Sequence, residues 1–190
     1  LPFNPQLFDP NNEIIISSDL YDIELVKQTI QKYFSPPYFP IDIISSLSNI
    51  KFLPFKTVQE KLKNDIDLNS MLLKHPGGSI GYKLIDKNSS LVYLCDNEFE
   101  EDQRKNLSNF SKNADLLVWD GMFTQKELVD KKGWGHSSIE QAIDFNTLAK
   151  CKKILITHHA PSRSDKELDQ IAKDLPDLFT IARDGLEMEV

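Results

Sequence analysis

The 190-residue chain holds four histidines, and none falls inside a helical stripe or a surface charge run. His75 ends an apolar run ahead of Pro76-Gly77-Gly78. His136 stands in Gly133-Trp134-Gly135-His136-Ser137-Ser138, just before a helical pattern. His158 and His159 close the run Ile154-Leu155-Ile156-Thr157. Two aspartates take comparable places: Asp96 follows Leu91-Val92-Tyr93-Leu94-Cys95, and Asp120 follows Leu116-Leu117-Val118-Trp119. Imidazole and carboxylate are the donor mixture that suits zinc, manganese or iron, and imidazole also exchanges a proton near neutral pH. A strand-end aspartate is equally an ordinary turn former, and the chain has no His-x-His or His-x-x-x-His pair. Spacing alone leaves both a metal centre and a set of satisfied turns open.

The elements around these residues show how they could meet. Strands are expected over 50–55, 68–73, 81–85, 91–95, 116–119 and 154–156, with two short ones over 179–182 and 186–190. Helices are expected over 101–112, over 137–148, and from Asp165, as N-cap, to 173. Residues 1–49 form a proline-rich opening segment. It contains the strand-like Glu13-Ile14-Ile15-Ile16 and a helix over 20–33, capped by Ser18 or Asp19 and stopped by Pro36-Pro37. Buried strands alternating with helices predict an α/β architecture, in which polar groups at strand ends form the site.

Composition narrows the partners. Hydrophobic residues make up 40% and charged ones 27%, the balance of a globular chain able to bury a core. The net charge of −7, without a basic stripe, argues against a large nucleic-acid footprint and favours a small anionic or ester substrate. No apolar run reaches the roughly 18 residues of a membrane span, so no membrane partner is expected. Two distant cysteines without secretory features suggest a cytoplasmic protein without a disulfide framework. The Pro- and Phe-rich start is a candidate homodimer contact as well as plain surface packing.

Five motifs in order resemble the metallo-β-lactamase-fold hydrolases, in particular the phosphodiesterase and ribonuclease Z-like branch. They are HPGGSIGYKL (75–84), LVYLCD (91–96), ADLLVWDGMF (114–123), KKGWGHSSIEQAI (131–143) and ILITHHAPSRSD (154–165). The ending ARDGLEMEV resembles that branch's last strand. The resemblance implies a four-layer αββα sandwich with a dinuclear metal centre, zinc first and manganese or iron as alternatives. It casts His75, Asp96 and His158 as metal ligands, with Asp96 bridging. It casts His136 as the group that protonates the leaving oxygen and Asp120 as its carboxylate partner. His159 is then a structural or supporting neighbour. Arg163 and Ser162 could touch a substrate phosphate, or simply form the turn before the next helix.

The chain departs from that family in one respect. An H-x-H-x-D-H motif, which the resemblance expects to supply four further ligands, does not occur. Leu1-Pro2-Phe3 resembles the stretch that follows it. The expectation is a single domain over 1–190 lacking the N-terminal strands of the fold, with an incomplete metal site. Two functions follow: a metal-dependent phosphodiesterase in the full-length protein, or a truncated, non-catalytic binding domain.

Overall fold

The structure, a computed structural model, describes residues 5–9, 11–46 and 49–190. Leu1-Pro2-Phe3 lies outside the described residues. The chain divides into two compact units, Leu1–Leu62 and Lys63–Val190.

In the first unit a 3-10 turn over Pro5–Phe8 precedes β1 (Ile14–Ile16), α1 (Ile23–Tyr33), α2 (Ile43–Ser46), β2 (Ile50–Phe52) and α3 (Phe55–Leu62). β1 and β2 pair in parallel, with Ile14 opposite Ile50. This pairing places 50–52 with the opening segment, so the division expected at 49/50 falls inside this unit. α1 starts later than expected. Asp22 is its cap, accepting the Glu24 amide at 2.9 Å, while the Ser18 hydroxyl closes a separate turn onto Leu20 and Tyr21. The strand expected over 50–55 stops at Phe52, because Pro54 begins a helix: its carbonyl accepts the amides of Thr57 and Val58.

The second unit holds β3 (Asp67–Leu73), β4 (Ser79–Ile85), β5 (Ser90–Leu94), α4 (Arg104–Phe110), β6 (Leu116–Asp120), α5 (Gln125–Leu128), α6 (Ile139–Ala149), β7 (Lys153–Thr157), α7 (Asp165–Asp174) and β8 (Phe179–Ile181). Its strands form one six-stranded sheet in chain order, β3-β4-β5-β6-β7-β8. The first two pairings are antiparallel and the other three parallel. β3, β5, β6 and β7 therefore run the same way, and their C-terminal ends share one edge.

The pleat divides the sheet's side chains. Val92, Leu94, Leu117, Trp119, Ile154 and Ile156 pack on one face against Leu107 of α4 and Ile139, Ala142 and Phe145 of α6. Leu116, Val118 and Cys95 face the other way, with Leu91, Leu155 and Met188 against them. β6 is buried along its whole length. That explains why its sequence is an unbroken apolar run rather than an alternation. Trp119, Phe145 and Phe99 form a three-ring cluster at centroid distances of 5.0 to 5.5 Å. Each such pair adds about 0.5–1.5 kcal/mol beyond its buried area. The Trp119 indole also donates to the Ser138 carbonyl at 3.1 Å, locking β6 to the start of α6.

Two expectations are corrected here. The ending over 186–190 is not a strand: the sheet stops at β8, and the tail is held instead by Met188 packing and by the Lys153 ammonium on the Glu189 carbonyl at 2.7 Å. Ser164, not Asp165, caps α7, in a reciprocal box with Glu167.

Candidate functional site

The shared C-terminal edge collects the chemistry. β5, β6 and β7 are adjacent and parallel, so Asp96, Asp120 and His158 emerge side by side. β3 delivers His75 to the same edge. His136 arrives from the loop ahead of α6, where Ser138 and Gln141 form a capping box. Across from it the chain leaving Asp120 pairs back: Phe123 donates to the Ser137 carbonyl and accepts the Ile139 amide.

The Asp96 carboxylate is the hub. Its Oδ1 lies 3.4 Å from His158 Nε2, 3.8 Å from His75 Nε2 and 3.9 Å from His136 Nδ1. The His158 ring stacks on His136 at 4.9 Å, and the His75 ring meets His136 edge-on at 5.3 Å. Asp96 and His158 both have left-handed backbones, with φ of 57° and 61°. A non-glycine residue in that region costs of order 1 kcal/mol and persists where its surroundings demand it. Here two such residues aim their side chains at one point.

His136 and Asp120 form a second, tighter pair. Nδ1 of His136 lies 2.8 Å from Oδ2 of Asp120, whose side chain is fully buried. The same carboxylate accepts the amides of Asn97 and Met122, both at 3.2 Å. Acceptor-only on every side, it takes the Nδ1 proton of His136 as its third donor. His75 is oriented similarly: its Nδ1 meets the Pro76 carbonyl at 2.9 Å, which turns Nε2 towards Asp96.

The donor set suits a divalent cation. Ligand atoms of Asp96, Asp120, His136 and His158 all lie within 4.8 Å of one another. Metal–nitrogen and metal–oxygen bonds of about 2.1 Å at a tetrahedral angle separate two donors by roughly 3.4 Å, the spacing found between Asp96 and His158. A direct hydrogen bond between them would be shorter. His75 is turned towards the same carboxylate from the next loop.

The remaining residues singled out in the sequence lie beside the centre. His159 directs Nε2 to the Ala182 carbonyl at 3.3 Å, and burial pushes its imidazole pKa down. The Arg163 guanidinium is buried, 2.6 Å from the Glu127 carboxylate and 3.2 Å from the Met122 carbonyl. It therefore braces the loop that leaves Asp120. Ser162 is exposed. Sequence reading passed over Asn97 and Glu98, the residues after Asp96. Asn97 Oδ1 accepts the Lys74 amide at 3.0 Å, and its carbonyl accepts the Ser137 hydroxyl. The signal available was two polar residues directly after a buried strand, where water would normally be expected.

Comparison with solved structures decides the architecture. The metallo-β-lactamase fold protein YhfI from Bacillus subtilis superposes over 93% of this chain and 65% of its own, with a TM-score of 0.66 at 21% identity. A diphosphatase of the PhnP family matches 95% of this chain and 60% of its own, at 0.63 and 14%. The chain carries the metallo-β-lactamase fold. In sequence, this metallo-β-lactamase-fold chain is 37% identical over 84 residues to a ribonuclease Z from Prochlorococcus marinus (strain MIT 9515). That match covers 43% of the chain and 25% of the relative. A ribonuclease Z from Nitrosopumilus maritimus is 33% identical over 87 residues, 45% of this chain and 29% of the relative. The matches thus span about a quarter to a third of these relatives. No family model matches the chain. No helix among the described residues is long and apolar enough to cross a membrane.

Proposed function

We propose that this chain belongs to a metal-dependent hydrolase of phosphodiester bonds, with His136 as the proton donor to the leaving oxygen and Asp120 as the carboxylate that orients it. The observation that carries the reading is the 2.8 Å His136–Asp120 pair standing beside the Asp96 hub. A proton on Nε2, opposite the atom committed to Asp120, is the one His136 can lend. The buried carboxylate stabilises the imidazolium that carries it. His75, Asp96 and His158 would hold two divalent cations, zinc with manganese or iron as alternatives. Three side chains are too few for two ions, so the reading requires further donors besides these three. When bound, the cations supply Lewis acidity and lower the pKa of water.

The net charge of −7 counts against a large polyanion and is compatible with a small phosphodiester or ester held by the metal ions. A second reading, an RNA phosphodiester, is supported by the name ribonuclease Z carried by the sequence relatives. Two buried free cysteines fit a cytoplasmic setting, and a homodimer belongs to the same reading.

The test uses protein from the complete reading frame that contains this chain, with Mn or Zn, against bis(p-nitrophenyl) phosphate and a tRNA precursor. Metal-dependent turnover of the small ester above the RNA is expected, with EDTA abolishing it. Turnover of the tRNA precursor alone selects the RNA reading. Hydrolysis of neither, with metal still bound, selects a non-catalytic binding domain.

A further inference from the structure

We propose that Glu98 is the positioning residue for His136, acting through the backbone of the loop that carries it. This inference rests on the role given to His136 above.

Glu98 is a buried acid, 8% exposed, two residues past the Asp96 hub. Its carboxylate lies 2.8 Å from the Gly133 amide through both oxygens, and Oε2 lies 2.9 Å from the Gly135 amide. Its own amide donates to the Lys74 carbonyl at 2.7 Å, next to His75. One residue therefore ties the His75 turn and the His136 loop to the end of β5. A buried carboxylate is strongly held only where charge-assisted donors meet it, and the two glycine amides do so.

Beyond His136 the chain is held by Ser137, whose hydroxyl donates to the Asn97 carbonyl and accepts the Phe99 amide, and whose carbonyl accepts the Phe123 amide. Ahead of His136 the loop has little else to fix it. Val129 and Trp134 are 76% and 56% exposed, so apolar burial contributes little. The Lys131 ammonium sits over the Trp134 ring at 4.1 Å, and the Trp134 amide closes a turn onto the Lys131 carbonyl at 3.1 Å. These contacts lie within the loop and do not anchor it. Trp134 meets Phe123 edge-on only at 6.3 Å. Gly135 takes φ of +88°, and a Cβ there would come within 2.3 Å of the His75 ring. The loop thus passes directly against His75 and turns at once into His136. Glu98 sets how deeply it seats, and with it the reach of the His136 imidazole to Asp120.

Oε2 accepts both glycine amides and Oε1 shares that of Gly133, so each oxygen faces a donor and neither position suits an NH₂. Glu98→Gln turns one acceptor into a donor facing a glycine amide while keeping the shape. Glu98→Asp keeps the charge and shortens the reach. The measurements are amide hydrogen exchange along the chain and the downfield imidazole N–H proton of His136, assigned by its absence in His136→Asn. In Glu98→Gln, exchange at Gly133 and Gly135 should quicken at least tenfold and the His136 proton signal should vanish. The β6 amides of Leu117 and Val118 should keep their protection. Glu98→Asp should retain the imidazole signal.

The proposal is overturned if a folded Glu98→Gln keeps both the glycine protection and the imidazole proton. It is equally overturned if exchange in β6 quickens as much as in the loop, or if neither variant folds, since Glu98 would then serve stability alone. None of these readouts needs a substrate, so the hydrolase reading can fail separately. Where turnover is measured, kcat should fall at least tenfold in Glu98→Gln with KM held.

Discussion

Nδ1 of His136 stands 2.8 Å from Oδ2 of Asp120, a carboxylate sealed from solvent at the end of β6. Such a pair fixes the orientation of the imidazole. His136→Asn should lower turnover by about 10²–10⁴-fold, the usual contribution of a positioned general acid. Asp120→Asn should cost a comparable factor and also destabilise the fold. The Asn97 and Met122 amides lose their charged acceptor, at about 1–3 kcal/mol. Steady-state kinetics and urea melts of the two variants check this.

Asp96 and His158 hold left-handed backbones while their side chains converge at 3.4 Å. Asn tolerates that conformation nearly as well as Asp, so Asp96→Asn should leave the metal-free melting temperature almost unchanged. Its affinity for Mn or Zn should fall by at least about tenfold. Calorimetric titration with the metal ion alone separates the two effects.

Acid stability should depend on Asp115. The Lys152 ammonium at 2.6 Å, helped by the Ser90 hydroxyl, holds its carboxyl at about 2. The unfolded value is near 3.9. A depressed folded pKa contributes stability that is full above the unfolded value and is lost as pH falls through the folded one. The urea midpoint of the native protein should therefore drop between about pH 4 and pH 2. Asp115→Asn should start lower at pH 7 and change less across that window.

Both thiols should be silent in the folded protein. Burial pushes Cys95 up to about 12 and Cys151 up to about 11, and both are nearly inaccessible. A thiol reagent at pH 8 should label neither until denaturant is added, and then both.

Gly135→Ala should damage the site more than its size suggests. The new methyl would press on the ring of His75 and on Pro76, at a φ that only glycine adopts freely. Loss of metal affinity together with a lower melting temperature is the expected result.

The motifs were legible because each ends an apolar run with a polar residue. Leu91 to Cys95 before Asp96, Leu116 to Trp119 before Asp120, and Ile154 to Ile156 before His158 announce strand ends in a parallel sheet. The capping signal Ser138-x-x-Gln141 was equally local, and α6 begins where it points. Two runs of strand composition end otherwise, the first for a local reason and the second for want of a partner strand. The apolar run through Phe55 becomes strand then helix because Pro54 starts α3. Leu186 to Val190 has strand composition but pairs with no strand.

Strand order, strand direction and loop seating have no local signature, since each depends on residues far apart in the chain. From the residues alone came which side chains could do chemistry and that they stand at strand ends. Only tertiary structure decided that β3, β5, β6 and β7 open on one edge, and that Glu98 reaches 35 and 37 residues along the chain to hold the loop of His136. A buried carboxylate gains its meaning from the amides that converge on it, and those amides meet only when the sheet is assembled.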